Sequence, residues 1–135
     1  MVFEQAALVA GRVLFGLFFV FNGVNHFMKR EMMVGYAESK GVPSASVMVP
    51  VTGLMLVIGG LAIVTGLYVG VGAALLAVFL AVTTPVMHDF WAVDEEAKMD
   101  EMTNFLKNLA LLGGVLITYY AWTAGSWSLA LGIGF

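Results

Sequence analysis

Residues 41–87 read GVPSASVMVPVTGLMLVIGGLAIVTGLYVGVGAALLAVFLAVTTPVM and contain no Asp, Glu, Lys or Arg. A helix that spans a membrane needs about 20 mostly apolar residues, so this run is too long for one spanning helix and long enough for two. The segment TGLYVG, residues 65–70, has the composition of a tight glycine turn. The run therefore predicts two spanning helices, at 44–66 and 69–91.

The rest of the chain has the same apolar character. Of its 135 residues, 61% are hydrophobic and 11% are charged, whereas a soluble domain carries about 25% charged residues. Two further apolar segments predict helices at 5–28 and 103–123. The first of these begins near Glu4 rather than a basic region, so we expect a retained span and not a signal peptide. Four helices with short connections predict an all-α fold, an integral membrane four-helix bundle with up-down-up-down topology in a single domain, 1–135.

Several classes of function are excluded by composition. The chain has no cysteine, which rules out disulfides, thiolate catalysis and cysteine-ligated metals. Its net charge of −3 argues against nucleic acid, which requires clustered Lys and Arg. His26, His88 and Asp89 make a poor metal site, because His88 and Asp89 diverge on a helix and no third strong ligand is evident. No metal site is predicted, and no residue can be assigned a catalytic role.

The positive charges indicate how the chain is oriented in the cell membrane. The 28–44 and 91–103 connections must lie on one face of the membrane, with both termini on the other. Arg12 is nearer the side of the termini. The other basic residues lie on the side of the connections: Lys29, Arg30, Lys40, Lys98 and Lys107. The positive-inside rule then predicts a multi-pass protein with both large loops in the cytoplasm and the termini outside.

Most of the polar residues gather toward the same loop-bearing face. Asn22 and His26 are four residues apart, and so are Asn104 and Asn108, which places each pair on one helical face. A bundle would point such polar stripes inward. We therefore predict a polar pocket near the loops, whose candidate ligand-binding residues are Arg12, Asn22, His26, His88, Asp89, Asn104, Lys107 and Asn108.

Other interpretations of these residues stay open at this point. His88, Asp89 and Trp91 could be ordinary membrane-interface residues, since tryptophan favours the headgroup level. Asp89 and Lys107 could form a structural ion pair between the third and fourth spans. His26 could be a hydrogen-bonding group between helices.

Arg12 and the acidic segment also have two interpretations each. A charge inside the membrane costs about 2.5–3.5 kcal/mol on insertion scales. Arg12 could extend toward the terminal face with Glu4 as a partner, or it could bind an anionic or carbonyl ligand inside the bundle. The segment DEEAKMDE, residues 94–101, could be a solvated acidic loop or a docking surface for a basic partner.

The order of motifs resembles the DoxX family of small four-helix membrane proteins. The matching segments are GRVLFGLFFVFNGVNHFM (11–28), YAESKGVPSA (36–45), LVIGGLAIVTGL (56–67), HDFW (88–91), NFLKNLALLGGVL (104–116) and WSLAL (127–131). The namesake of the family is similar to a subunit of an archaeal thiosulfate:quinone oxidoreductase. Other members resemble membrane partners of thiol- or superoxide-handling enzymes, and distant relatives resemble membrane chaperones or cargo receptors.

The resemblance transfers only a few residues. The arginine of the first family helix matches Arg12, the Gly-Val-Pro loop matches 41–43, and the asparagine of the fourth helix matches Asn108. Many members carry an acidic residue where this chain has Leu56, so a membrane carboxylate that could relay protons is missing. The aspartate that often follows the terminal WSL motif is missing as well.

The resemblance and the polar pocket together predict a membrane subunit of a quinone-linked redox system rather than a self-sufficient enzyme. The cofactor expected at the pocket is a quinone, because its carbonyl oxygens need donors such as His26, His88 and Lys107. The sequence encodes no cofactor that moves electrons, so a redox role requires either a soluble partner, which could bind at the 94–101 loop, or bound quinone alone. One alternative is a non-enzymatic scaffold or chaperone that recruits a protein through the 94–101 loop. Another is a carrier of a small hydrophobic molecule; because four helices leave little room for alternating access, a carrier favours a homo-oligomer. Membrane lipid is an expected contact of the chain in each case.

Overall fold

A computed structural model describes residues 2–125 and residue 127. These residues form helices and connections without a strand, which confirms the predicted all-α class. The helices are α1 (Val2–Met28), α2 (Arg30–Ser39), α3 (Ala45–Thr65), α4 (Val69–Met87) and α5 (Glu95–Thr123). All except the short α2 are long and apolar enough to cross a membrane. The chain is therefore a multi-pass membrane protein.

The spanning helices pack in sequence, α1 on α3, α3 on α4, and α4 on α5. Their buried side chains form one apolar core, whose members are Phe19, Leu56, Ile63, Val69, Ala73, Leu76, Leu80 and Val115. Leu56, where the resemblance implies an acidic residue, is 1% exposed in this core. Its side chain fills the position by apolar packing.

The predicted break between the second and third spans is confirmed. α3 ends where Gly66 adopts the left-handed conformation, with φ of 77°, and its N–H donates to the carbonyl of Ala62. Glycine adopts this conformation without the steric cost of a Cβ atom, which makes it the usual residue just past a helix end. Tyr68 is also left-handed, with φ of 51°, and α4 begins directly after it. The reversal takes three residues.

The structure contains one helix that the sequence pattern did not predict. α2 lies inside the predicted 28–44 connection and is too short and too polar to read as a span. Its inner residue Ala37 packs with Ala45 and Val49 of α3 in a second small apolar cluster. The connection is therefore an ordered helix seated against α3.

The bounds of the last two spans also differ from the prediction. α4 ends at Met87 instead of residue 91, with Pro85 in its final turn. α5 begins at Glu95, eight residues before the predicted start at 103, after Asp94 in an extended conformation. Acidic residues in a first helical turn are favourable because they face the positive end of the helix dipole. The acidic segment is therefore largely the beginning of α5 and not a loop.

Glycine pairs set the contact between α1 and α3. A Cβ atom on Gly60 would lie 2.5 Å from the carbonyl oxygen of Gly16, and one on Gly23 would lie 2.7 Å from that of Gly53. The two contacts are seven residues apart on each helix. The residue numbers rise along α1 from one contact to the other and fall along α3, so the helices are antiparallel. Gly59 lies close to α4: a Cβ atom added there would be 2.6 Å from the Leu76 side chain and 3.1 Å from the carbonyl oxygen of Gly72. Small residues allow such close approach where hydrophobic drive between helices is absent.

We predict that Gly60→Ala lowers the free energy of unfolding by about 1–3 kcal/mol, the usual cost of overpacking. The added methyl group would overlap the backbone of α1. The measurement is denaturant unfolding in detergent followed by circular dichroism. Gly11→Ala is the matched control, because a Cβ on this helical glycine meets nothing within 4 Å. Equal stability of the two variants would contradict the close-contact interpretation.

Candidate functional site at the loop-bearing end

Five polar side chains meet at the end of the bundle that carries the two long connections. They come from α2, from the residues that follow α4, and from the first turns of α5. We call them the loop-end cluster: Tyr36, Lys40, His88, Asp89 and Glu101. The cluster therefore joins three elements that are distant in sequence.

Glu101 is the centre of the first half of the cluster. Its Oε1 accepts a hydrogen bond of 2.6 Å from the Tyr36 hydroxyl, and its Oε2 lies 2.8 Å from Nδ1 of His88. A carboxylate can only accept, so Nδ1 of His88 carries the hydrogen. In the neutral ring the other nitrogen, Nε2, is then an acceptor. Glu101 thus fixes both the tautomer and the orientation of the imidazole.

Lys40 and Asp89 form the second half. Lys40 Nζ donates to Asp89 Oδ1 at 2.5 Å, and the lysine side chain is only 12% exposed. The same ammonium lies 5.6 Å from the ring centroid of Tyr36, within range of a cation–π interaction. This contact connects the two halves. The hydrogen bond from Lys40 holds the pKa of the Asp89 carboxyl below its ordinary value.

Tyr36 ties α2 to the end of α4. Its hydroxyl lies 3.0 Å from the carbonyl oxygen of Met87, one of the last carbonyls of α4, which lack a partner within the helix. Desolvation, reinforced by the hydrogen bond to Glu101, raises the pKa of the Tyr36 hydroxyl. Tyr36 therefore remains a neutral donor across the physiological pH range.

Aromatic side chains lie beside the cluster. Phe90, Trp91 and Phe105 make mutual edge-to-face contacts, with ring centroids 5.2 to 5.8 Å apart. Trp91 is 57% exposed. Such a group at the end of a span is typical of the membrane interface.

Of the residues singled out from the sequence, the structure brings His88 and Asp89 into the cluster and keeps Asn22 and His26 apart from it. The Asn22 amide donates to the Phe18 carbonyl at 2.7 Å, and His26 Nδ1 donates to the Asn22 carbonyl at 2.8 Å. Both bonds are made within α1. The ring of His26 lies edge-on to Phe79, with centroids 6.1 Å apart, two turns before the end of α4.

The ion pair that was considered between Asp89 and Lys107 is not formed. Asp89 binds Lys40, the residue that directly follows the unpredicted helix α2. The exposed Lys107 donates from Nζ to Asn104 Oδ1 at 3.1 Å, within α5. Asn108 is half-buried one turn further along α5. Two members of the polar stripe predicted for the fourth span, Asn104 and Lys107, therefore bond to each other within α5.

Arg12 lies at the opposite end of the bundle. It is 5% exposed, and its Nη2 donates to the carbonyl oxygen of Val64 at 2.9 Å. This carbonyl belongs to the last turn of α3, where a positive charge is favourable. The guanidinium also lies 4.8 Å from the ring centroid of Trp127. The rest of the terminal WSLAL motif lies outside the described residues.

Three members of the cluster, Tyr36, Lys40 and Glu101, were not among the candidate residues chosen from the sequence. Glu101 was overlooked because 94–101 was interpreted as a solvated acidic loop or a docking surface. A signal for it was present. The inner face of α5 contains Val115 and Asn108, and stepping back along it by three or four residues reaches Asn104 and then Glu101. Among residues 2–125, no group of three or more His, Asp or Glu side chains is arranged to hold a metal ion.

We predict that Asp89→Asn lowers the thermal unfolding temperature at neutral pH and that the difference from wild type disappears in acid. The pKa of Asp89 is lowered in the folded chain, so the stabilisation is present above the ordinary value of 3.8 and is lost as the pH falls through the folded value. Unfolding in detergent measures this when it is followed from about pH 7 down through and below the ordinary value of 3.8. The control is Asp100→Asn, an exposed acid of α5. A difference that does not change with pH would argue against the Lys40 pair.

Comparison with known proteins identifies the family. Searches of curated proteins and of solved structures found no significant match. The DoxX family model matches residues 7–89, which is more than half of the chain and extends from α1 to Asp89 of the loop-end cluster. The match leaves α5, and with it Glu101, outside. The resemblance predicted from the sequence motifs is confirmed, and the chain belongs to the DoxX family.

Proposed function

We propose that this protein is the membrane subunit or partner of a redox system and that it binds a quinone headgroup at the loop-end cluster. The observation that carries the proposal is the bond between His88 and Glu101. It holds the imidazole, just past the end of α4, in the tautomer in which Nε2 is the acceptor of the ring. A histidine oriented by a carboxylate can act as a general acid or base toward a bound ligand.

The chemistry of a quinone fits this nitrogen. A quinol hydroxyl can donate to Nε2 of neutral His88, and a quinone carbonyl can accept from the protonated ring. His88 then exchanges a proton with the headgroup while Glu101 stabilises the charged imidazolium. The groups of the cluster move protons and not electrons, so the electrons pass between the quinone and a partner protein.

The location of the cluster also fits a lipid-soluble ligand. His88 directly follows the last residue of α4, and the exposed ring of Trp91 lies nearby. A headgroup at this depth can keep its apolar tail in the hydrocarbon.

We further propose that this end faces the cytoplasm, since most Lys and Arg lie there. The chain has no cysteine, so a membrane-impermeant thiol reagent applied to intact cells that carry Glu96→Cys tests this orientation. We expect no labelling, and labelling of the cysteine would contradict a cytoplasmic location.

A protein scaffold is the second candidate. It is favoured by Glu95, Glu96 and Asp100, which are exposed on the first turns of α5. On this hypothesis the cluster only fastens α2 to α5, and the acidic surface binds a basic partner.

We predict that His88→Ala weakens quinone binding about tenfold, the value of one or more lost hydrogen bonds. The measurement is quenching of tryptophan fluorescence by decylubiquinone, with the protein in nanodiscs. The matched control is His26→Ala, because the only other histidine bonds within α1 and lies outside the cluster. We expect this variant to bind as wild type does.

Two results would overturn the redox proposal. One is the lack of saturable binding by wild type, and the other is equal binding by the two histidine variants. If, in addition, reversing the charges of Glu95, Glu96 and Asp100 abolished binding of a partner that His88→Ala retains, the scaffold would be supported instead.

A further inference from the structure

A groove separate from the loop-end cluster lies where α1 ends. It has a volume of about 1010 Å³ and is bounded by the end of α1, by α2 and by the start of α3. Its lining residues are Phe27, Met28, Lys29, Arg30, Glu31, Met32, Val34, Gly35, Glu38 and Ser46. Glu31 and Glu38 are seven residues apart on one face of α2, whereas Tyr36 and Lys40 lie roughly opposite at about 100° per residue. The two sites therefore use different faces of the same short helix.

The charged groups of the groove have both signs. Lys29 and Arg30 follow the end of α1, and Glu31 and Glu38 lie on α2; all four are exposed. Arg30 Nη2 donates to the carbonyl oxygen of Ser46 at 2.9 Å, which connects the groove wall to α3. The remaining donors of its guanidinium can bind a further acceptor. The groove thus offers donors for an anion and acceptors for a cation.

Large apolar side chains border the same groove. Phe27, Met28 and Met32 are 44%, 76% and 64% exposed. They lie at the end of the candidate span α1 and on the first turn of the polar helix α2, where we expect the chain to leave the hydrocarbon. A ligand that covers them must combine an apolar body with a charged head.

We propose that this groove binds the headgroup of phosphatidylethanolamine. Its phosphate would be held by Lys29 and Arg30, and its ammonium by Glu31 and Glu38, with the acyl chains against Phe27 and the methionines. A purely anionic headgroup would meet the same two carboxylates without a cation to balance them. A trimethylammonium headgroup has the charge but no N–H to donate, whereas a primary ammonium has three. The proposal does not depend on quinone binding.

Native mass spectrometry of the detergent-solubilised protein tests the headgroup preference. Phosphatidylethanolamine, phosphatidylcholine and phosphatidylglycerol with identical acyl chains are titrated in turn. We expect wild type to bind phosphatidylethanolamine most tightly, by up to about fivefold for each carboxylate that gains a hydrogen-bonded partner. Equal binding of the three lipids, or strongest binding of phosphatidylglycerol, would refute the proposal without any variant.

Two variants then locate the site. Glu31→Gln/Glu38→Gln should remove the preference for phosphatidylethanolamine over phosphatidylcholine and increase binding of phosphatidylglycerol. Lys29→Gln should weaken both zwitterionic lipids to a similar extent. The matched control is Glu95→Gln/Glu96→Gln, which removes two exposed carboxylates from α5, outside the groove. Unchanged selectivity in Glu31→Gln/Glu38→Gln would place the bound lipid elsewhere and contradict the proposal.

Discussion

The contact between the backbones of α1 and α3 is the constraint on which the rest of the structure depends. Lipid provides little hydrophobic drive between helices, so α1 and α3 are held by close packing. Gly16 faces Gly60 and Gly23 faces Gly53, with room for hydrogen but not for a methyl group. Two contacts seven residues apart fix the register of the pair. They also fix the ends of α1 and α3, and therefore the place where α2 must lie.

The position of α2 in turn determines the polar chemistry of the loop-bearing end. Because α2 is seated against the start of α3, Tyr36 reaches the last residue of α4, Met87, and Lys40 reaches Asp89 just beyond it. Irregular backbone is tolerated at this end because it lies outside the hydrocarbon. Inside the hydrocarbon, lipid cannot satisfy polar backbone groups. Because α4 ends at Met87 and not at residue 91, His88 and Asp89 lie outside the helix and near α2. The early start of α5 then brings Glu101 to His88.

The spans were predictable and the site was only partly so, for one physical reason. Hydrophobic length identifies a spanning helix, and the charge-free run 41–87 therefore located α3, α4 and the turn between them. α2 is stabilised by tertiary contacts rather than by apolar length, and the first turns of α5 by acidic residues at a helix N-terminus. Both regions looked like loops. Lys107 was therefore considered as a partner of Asp89, although the partner is Lys40, which directly follows the missed helix α2.

The bonding pattern of the cluster limits what it can do. Both carboxylate oxygens of Glu101 accept a hydrogen bond, and Lys40 is committed to Asp89. These bonds hold three elements together whether or not a ligand is present. On the proposed function, a ligand at this end would bond to His88 Nε2, the ring nitrogen that Glu101 does not hold. The cluster would then position a quinone for a partner protein, because the transfer of electrons requires groups that the cluster does not contain.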